Sequence, residues 1–302
     1  MNIYPTDRNG SCWIGILLIL ALISIQALAD ERRIIHIGGS AESIYDTRIA
    51  DVEILISLLF TEMFNGQDEQ LNIKIYDSDL SLSNQLTAGN LDAAFMNPVF
   101  YLDHIDHLNS QFTYAVRYGS TVKAKYVLLV RRDSGITTLA DLKNKKLIIP
   151  SGHMVGQRFL DVELLRAGLP VTEQTFSELR RTSETNAAII NLFFGNVDAA
   201  LVTDFSYEVA SELNRQIPMA LQIIRTSLPL VHMVVSVREG FPLQLIEKLI
   251  PFTDAFNEHP RMQFLKKTFR FEGVQKIRAE DMIEIDKLNR EYSQLKRERL
   301  LQ

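Results

Sequence analysis

The sequence predicts an α/β fold of two lobes facing a shared ligand, and three observations predict it. The first is a repeated unit. Leu86-Thr87-Ala88-Gly89-Asn90-Leu91-Asp92-Ala93-Ala94-Phe95-Met96-Asn97-Pro98 reads as a helix end, a Gly-Asn turn and a short buried strand that stops at Asn-Pro. The stretch from Ile189 to Asp204 repeats it, with Gly195-Asn196-Val197-Asp198-Ala199-Ala200 leading into a strand and a polar tip at Thr203-Asp204. A glycine after an apolar helical turn supplies the left-handed residue that closes a helix. The second is the alternation of strand and helix patterns, which gives an α/β class with mostly parallel sheets. The third is size: 302 residues, 46% of them hydrophobic, fill two modest cores. Ligands of open α/β sheets sit beyond the carboxyl ends of the strands. Two units with polar tips therefore point to two lobes with one ligand between them.

The chain opens on a targeting segment. Arg8 precedes an apolar run from Trp13 to Ile25, and Ala27-Leu28-Ala29 follows it. Such a run ending in A-x-A reads as a cleavable secretory signal peptide over residues 1–29. An uncleaved membrane anchor is the alternative, kept open by Asp7 beside Arg8, although the run is shorter than the ~20 residues of a spanning helix. Cys12, the only cysteine, precedes the run. The mature chain is therefore expected to carry no lipidated thiol and no disulfide, which suits a large periplasmic protein that relies on its core.

The elements then follow in order. Arg33-Ile34-Ile35-His36-Ile37-Gly38-Gly39 is a strand ending in glycines, residues 51–64 have helical spacing, and 71–76 alternate as a strand. Residues 81–88 form the helix of the first unit, and 112–118 and 126–131 are strands. Thr138-Leu139-Ala140-Asp141-Leu142 starts a short helical turn before a buried strand at 147–149. Pro150-Ser151-Gly152-His153 opens a long helix over roughly 155–167, closed by Gly168. Helices are expected at 184–194, 206–214 and 243–256, with a strand at 230–237. The charged tail, 279–302, is a helix whose short apolar stripe (Met282, Ile285, Leu288, Tyr292, Leu295) is expected to pack back on the first lobe rather than into a coiled coil.

Composition excludes several functions. A net charge of −5 argues against a nucleic-acid binder. The chain has no G-x-S-x-G elbow, no Walker loop and no dinucleotide fingerprint; Gly38-Gly39-Ser40 is too short a signal for one. Asp103-His104-Ile105-Asp106-His107 has two histidines at helical spacing but no third strong ligand, so a solvated helix is expected there and no metal.

Read in order, Ile34-Ile35-His36-Ile37-Gly38, the stretch from Gly89 to Tyr101, Thr138-Leu139-Ala140-Asp141-Leu142-Lys143-Asn144-Lys145-Lys146, the stretch from Leu164 to Leu169 and that from Gly195 to Ala199 resemble the periplasmic phosphate/phosphonate-binding proteins of ABC transporters, with the type 2 periplasmic-binding protein fold. The resemblance covers most of the mature chain and rests on order and spacing. It implies two lobes joined by a hinge of two crossing strands, the first from residues 30–131 and 228–302, the second from 132–227. It implies a monomeric solute-binding protein, not an enzyme and without a cofactor, that captures a small anionic ligand such as phosphate or a phosphonate for a membrane permease. A second reading is a ligand-sensing periplasmic module of the same fold that signals to a membrane sensor protein, a kinase or a cyclase. A third is a fold of this type turned to catalysis, which would turn over its ligand.

The candidate ligand-binding residues follow from these units. Ser151, Gly152 and His153 lie where a strand enters a helix N-terminus, where free amides and the helix dipole favour an anion; Ser151 as a plain cap is the alternative. The resemblance makes this turn a phosphate cradle, although the chain reads Pro-Ser-Gly-His-Met-Val-Gly rather than Ser-Thr-Ser-Gly. Thr203 and Asp204 end the second unit, and the resemblance places a ligand-facing acid there; a helix cap is the alternative. Asn97 and Tyr101 lie in a Pro-x-x-Tyr context whose tyrosine, by the resemblance, faces the cleft; a core tyrosine is the alternative. Thr185 stands where the family often has a histidine. Tyr45, after the first strand, and Arg117, at a strand end, complete the set. Arg117 suits a bidentate phosphate or carboxylate contact, or a surface ion pair.

Overall fold

The computed structural model describes residues 33–43, 69–117, 120–247 and 272–301, with the single positions 53, 258, 263 and 266. The expected signal segment, Tyr45, the helix over 51–64 and most of that over 243–256 lie outside the described residues.

Strands β1 (Arg33–Ser40) and β2 (Glu69–Tyr76) run parallel, and helix α1 (Asp79–Thr87) returns the chain to β3 (Ala93–Met96), parallel to β1 on its other side. Ser78 caps α1 by accepting the Ser81 amide at 3.2 Å, and Gly89, at φ 73°, closes it. Gly39 is required by close approach, since a Cβ there would stand 1.9 Å from the Phe95 ring. Helix α2 (Pro98–Asp103) leads into β4 (Leu108–Arg117). The chain then crosses through β5 (Lys123–Ala124) into β6 (Tyr126–Arg131).

The second half alternates as expected: β7 (Lys146–Pro150), α3 (Met154–Arg166), the short α4 (Thr172–Thr175), β8 (Glu178–Thr182), α5 (Thr185–Phe193), β9 (Ala199–Thr203), α6 (Asp204–Leu213), α7 (Gln216–Ala220) and β10 (Leu221–Thr226). β11 (Leu230–Val231) crosses back beside β5, and β12 (Val234–Arg238) and β13 (Gly273–Lys276) complete the first sheet before α8 (Ile283–Leu300). The strand expected at 230–237 is thus two strands, broken at His232-Met233 where the chain passes between lobes.

Two sheets result, in the orders β13-β4-β12-β3-β1-β2 and β10-β6-β9-β7-β8, with β5 and β11 paired between them. They are mixed rather than mostly parallel: β12 lies antiparallel to β3 and β4, and β6 antiparallel to β9 and β10. The cause is the double crossing, because a strand arriving from the other lobe enters from the opposite end. β6 also belongs to the second sheet, so the outward changeover falls at residues 123–126 rather than after Arg131.

The tail helix departs from expectation. Ile285 is buried and, with Leu288, joins the core around Leu160 and Leu164 of α3, in the second half of the fold. The Arg166 guanidinium grips both oxygens of Glu291 at 2.7 and 2.8 Å. The apolar stripe read from the sequence is real but shared: Met282 packs in the first core, while Ile285 and Leu288 meet α3.

Candidate functional site

A cavity of about 290 Å³ lies between the halves, with Asp79, Asn97, Phe100 and Asp103 on one side and Met154, Gln157, Arg158, Asp161 and Glu173 on the other. On the first side, Asn97 follows β3 directly. Its Oδ1 accepts the Phe100 amide at 2.9 Å and caps α2, its Nδ2 donates to Asp79 Oδ2 at 2.9 Å, and its own amide donates to Ser43 Oγ at 3.0 Å. Glu42 Oε2 accepts the Asp79 amide at 3.0 Å. Burial raises the Asp79 pKa, and the neighbouring Glu42 charge adds to this against hydrogen bonds from Ser40 and Asn97.

On the second side, β7 and β8 end level with each other, and the Ser151 amide donates to the Thr182 carbonyl at 2.7 Å. Gly152 holds φ 79°, a conformation that a side chain would strain. The turn delivers the chain to the N-terminus of α3, whose first-turn amides have no acceptor within the helix. Gln157, one turn on, donates to Glu173 Oε1 at 2.5 Å and accepts from Arg181 on β8. Burial lowers the Arg181 pKa, while Glu173, Glu42 and Asp161 favour its charged form. Glu42 belongs to the first half, so these charges act on each other across the gap. Asp161 accepts from the Thr172 amide and hydroxyl, and burial raises its pKa against those bonds.

The sequence-predicted residues divide. Asn97 lines the cavity, and Ser151 and Gly152 form the turn that leads to Met154, the first lining residue of α3. His153 turns away: it is 2% exposed, with its ring centroid 5.6 Å from those of both Tyr126 and His232. Burial drives its pKa well below the usual histidine value, and the His232 and Arg181 charges push the same way. Thr203 caps α6, accepting the Ser206 amide at 3.3 Å. Asp204 fastens the crossing strand, donating its amide to the Lys125 carbonyl at 2.8 Å and accepting the Lys125 amide at 3.3 Å. Thr185 is buried in the first turn of α5. Arg117 donates to the Glu272 carbonyl at 3.2 Å beside β13.

Tyr101 stands apart from that cavity. It packs in the first core with its hydroxyl 3.2 Å from Thr113 Oγ1, and it lines a separate cavity of about 550 Å³ under Ile277 and Met282. Asn97 caps α2 and lines the cavity between the halves, whereas Tyr101 on the same short helix lines the other one. Tyr101→Phe is expected to cost ~0.5–1.5 kcal/mol of stability for the lost hydrogen bond and to leave ligand affinity unchanged. Urea denaturation beside a ligand titration checks both halves.

Sequence reasoning missed Asp79, Gln157, Arg158, Asp161, Glu173 and Arg181. Only Asp79 and Gln157 follow a strand end within two turns; the others carry no local signal. His104 of the Asp103-to-His107 stretch is engaged by Ser83 Oγ at 2.6 Å and the Phe100 carbonyl at 2.9 Å.

A family model described as the phosphonate periplasmic substrate-binding protein of ABC transporters matches residues 52–282. Among solved structures, XAC2383 from Xanthomonas citri bound to chloride ion aligns with a TM-score of 0.66 at 15% identity, over 88% of this chain and 99% of that one. A binding protein component of an ABC phosphonate transporter from Pseudomonas aeruginosa aligns with 0.64 at 12%, over 88% of each. PhnD1 from Prochlorococcus marinus in complex with methylphosphonate aligns with 0.60 at 13%, over 87% of this chain and 99% of that one. No curated protein matches the sequence. Among the described residues, no helix is long and apolar enough to cross a membrane.

Proposed function

The chain belongs to the phosphonate family of periplasmic substrate-binding proteins of ABC transporters, and from that premise we propose that it holds a small phosphonate bearing an ammonium group and presents it to a membrane permease. The observation that carries this is the mixed charge around the interlobe cavity. In the second half the Arg181 guanidinium bonds the lining Gln157, and the Ser151-Gly152 turn leads into the α3 N-terminus, groups suited to an oxyanion. The cavity itself is lined by Asp79, Asp103, Asp161 and Glu173 against the single guanidinium of Arg158. A bare dianion meets repulsion there; a zwitterion places each charge against its opposite. Binding needs no bond-making, because amides and side chains replace hydration and closure of the hinge at β5 and β11 excludes water.

The test is a thermal-shift series with methylphosphonate, ethylphosphonate, 2-aminoethylphosphonate, phosphate, sulfate and amino acids. A ligand at about 100 times its Kd adds ~2.7 kcal/mol to stability, which is a shift of several degrees. The largest shift is expected from 2-aminoethylphosphonate. Equal shifts from ethyl- and 2-aminoethylphosphonate would remove the ammonium from the proposal, and shifts only from compounds without phosphorus would remove the phosphonate. We further propose that residues 1–29 are cleaved on export and that the protein acts as a monomer. Mass spectrometry and light scattering of the exported protein test these.

A further inference from the structure

We propose that Tyr292, on the C-terminal helix, is the end wall of the interlobe cavity and sets the length of ligand that the protein accepts. The inference rests on the cavity being the ligand site, as proposed above. Tyr292 lines that cavity beside Arg158 and Asp103, yet it lies beyond the family match, which ends at residue 282. Its wall is therefore contributed by a part of this chain outside the matched family region.

The ring is held in place from several directions. The Arg158 guanidinium stacks 3.8 Å from its centroid and Lys296 Nζ lies 5.5 Å from it. One residue earlier, Glu291 takes the two-point grip of Arg166; further on, Arg299 Nη1 donates to the Gly168 carbonyl at 3.0 Å. These contacts tie α8 to α3. The same helix reaches the first half through Asn289 Nδ2, 3.3 Å from Asp103 Oδ1, and the turn before it through Asp281, 3.3 Å from Lys123 Nζ on the crossing strand. With its helix tied to both sides of the gap, the ring cannot swing aside for a longer ligand without breaking its cation–π contact with Arg158.

The test titrates ω-aminoalkylphosphonates of two to five carbons, together with methylphosphonate, into the wild type, Tyr292→Ala and Tyr292→Phe. A chain one methylene too long for a fitted pocket typically loses ~10-fold or more in affinity, so the wild type is expected to show a sharp drop along the series. Tyr292→Ala is expected to recover about tenfold for the longer members, and Tyr292→Phe, which keeps the ring, to follow the wild type. Arg158→Gln, which frees the ring without removing it, is expected to give an intermediate profile. A wild type that binds these ligands with the same chain-length profile as Tyr292→Ala overturns the inference alone. A wild type that binds no phosphonate overturns the underlying functional reading as well, and the inference with it.

Discussion

Lowering the pH from 6.5 towards 3 is expected to destabilise the fold steeply, by about 1.4 kcal/mol per pH unit for each histidine held neutral. His232 is fully enclosed and burial pushes its pKa down to about 3; His153 is driven down by burial beside it. In the unfolded chain both protonate near 6.5. Below that pH the unfolded state binds more protons than the folded state, so stability falls as pH falls. The stability is fully present above 6.5 and the His232 share is gone by about pH 3. Asp79 and Asp161 act in the opposite sense: their raised pKa values make the folded state take up protons before the unfolded one as the pH falls, which softens the lower end of the slope. Urea midpoints measured from pH 7.5 to 4 check this. A stability that does not fall as the pH drops below 6.5 would show that the two rings are not held neutral.

Gly156→Val is the second large effect. Gly156 lies in α3 against Tyr126, and a Cβ at that position would stand 2.3 Å from the Tyr126 ring. Tyr126 is wholly enclosed and its hydroxyl bonds His232 Nδ1 at 2.7 Å, so the ring cannot yield without opening the junction between the lobes. An alanine normally gains ~1 kcal/mol over glycine inside a helix, but overpacking costs ~1–3 kcal/mol. Gly156→Ala is therefore expected to be mildly destabilising. Gly156→Val, with two further methyl groups and a β-branched chain, is expected to exceed the upper end of that range. Thermal melts of the two variants decide it; a Gly156→Val protein as stable as the wild type would mean that α3 does not lie this close to β6.

Much of the fold was legible because glycine and alternation mark element ends locally. The Gly195 and Gly168 helix ends stand where the sequence put them, each at φ 74°, and β7, β9 and α5 agree within a residue or two. Three features were not legible, and each is non-local. The antiparallel entry of β6 and β12 depends on where the chain crosses between lobes, which no periodicity records. The partner of α8 depends on which surface carries a matching apolar stripe, and α3 offered one as good as the first lobe's. Tyr101 read as a cleft residue by the resemblance, and only the packing of α2 against β4 puts its hydroxyl beside Thr113 and its ring in the first core. The site was half legible. Strand-end residues such as Asn97 and Ser151 announce themselves by motif; Arg181 and Asp161 sit inside a strand and a helix, and only the packing of β8 and α3 brings them to the gap.

The account stands most directly on one titration: 2-aminoethylphosphonate into the wild type and into Arg181→Gln, followed by calorimetry. Arg181 is exposed on β8, although its guanidinium is partly desolvated in the gap, so the variant is expected to fold. A charge-assisted hydrogen bond is worth ~1.5–3 kcal/mol, so the account predicts saturable one-to-one binding to the wild type and a Kd raised at least about tenfold in the variant. Identical binding curves for the two proteins, or no heat from either, would contradict a phosphonate held at the strand ends between the lobes.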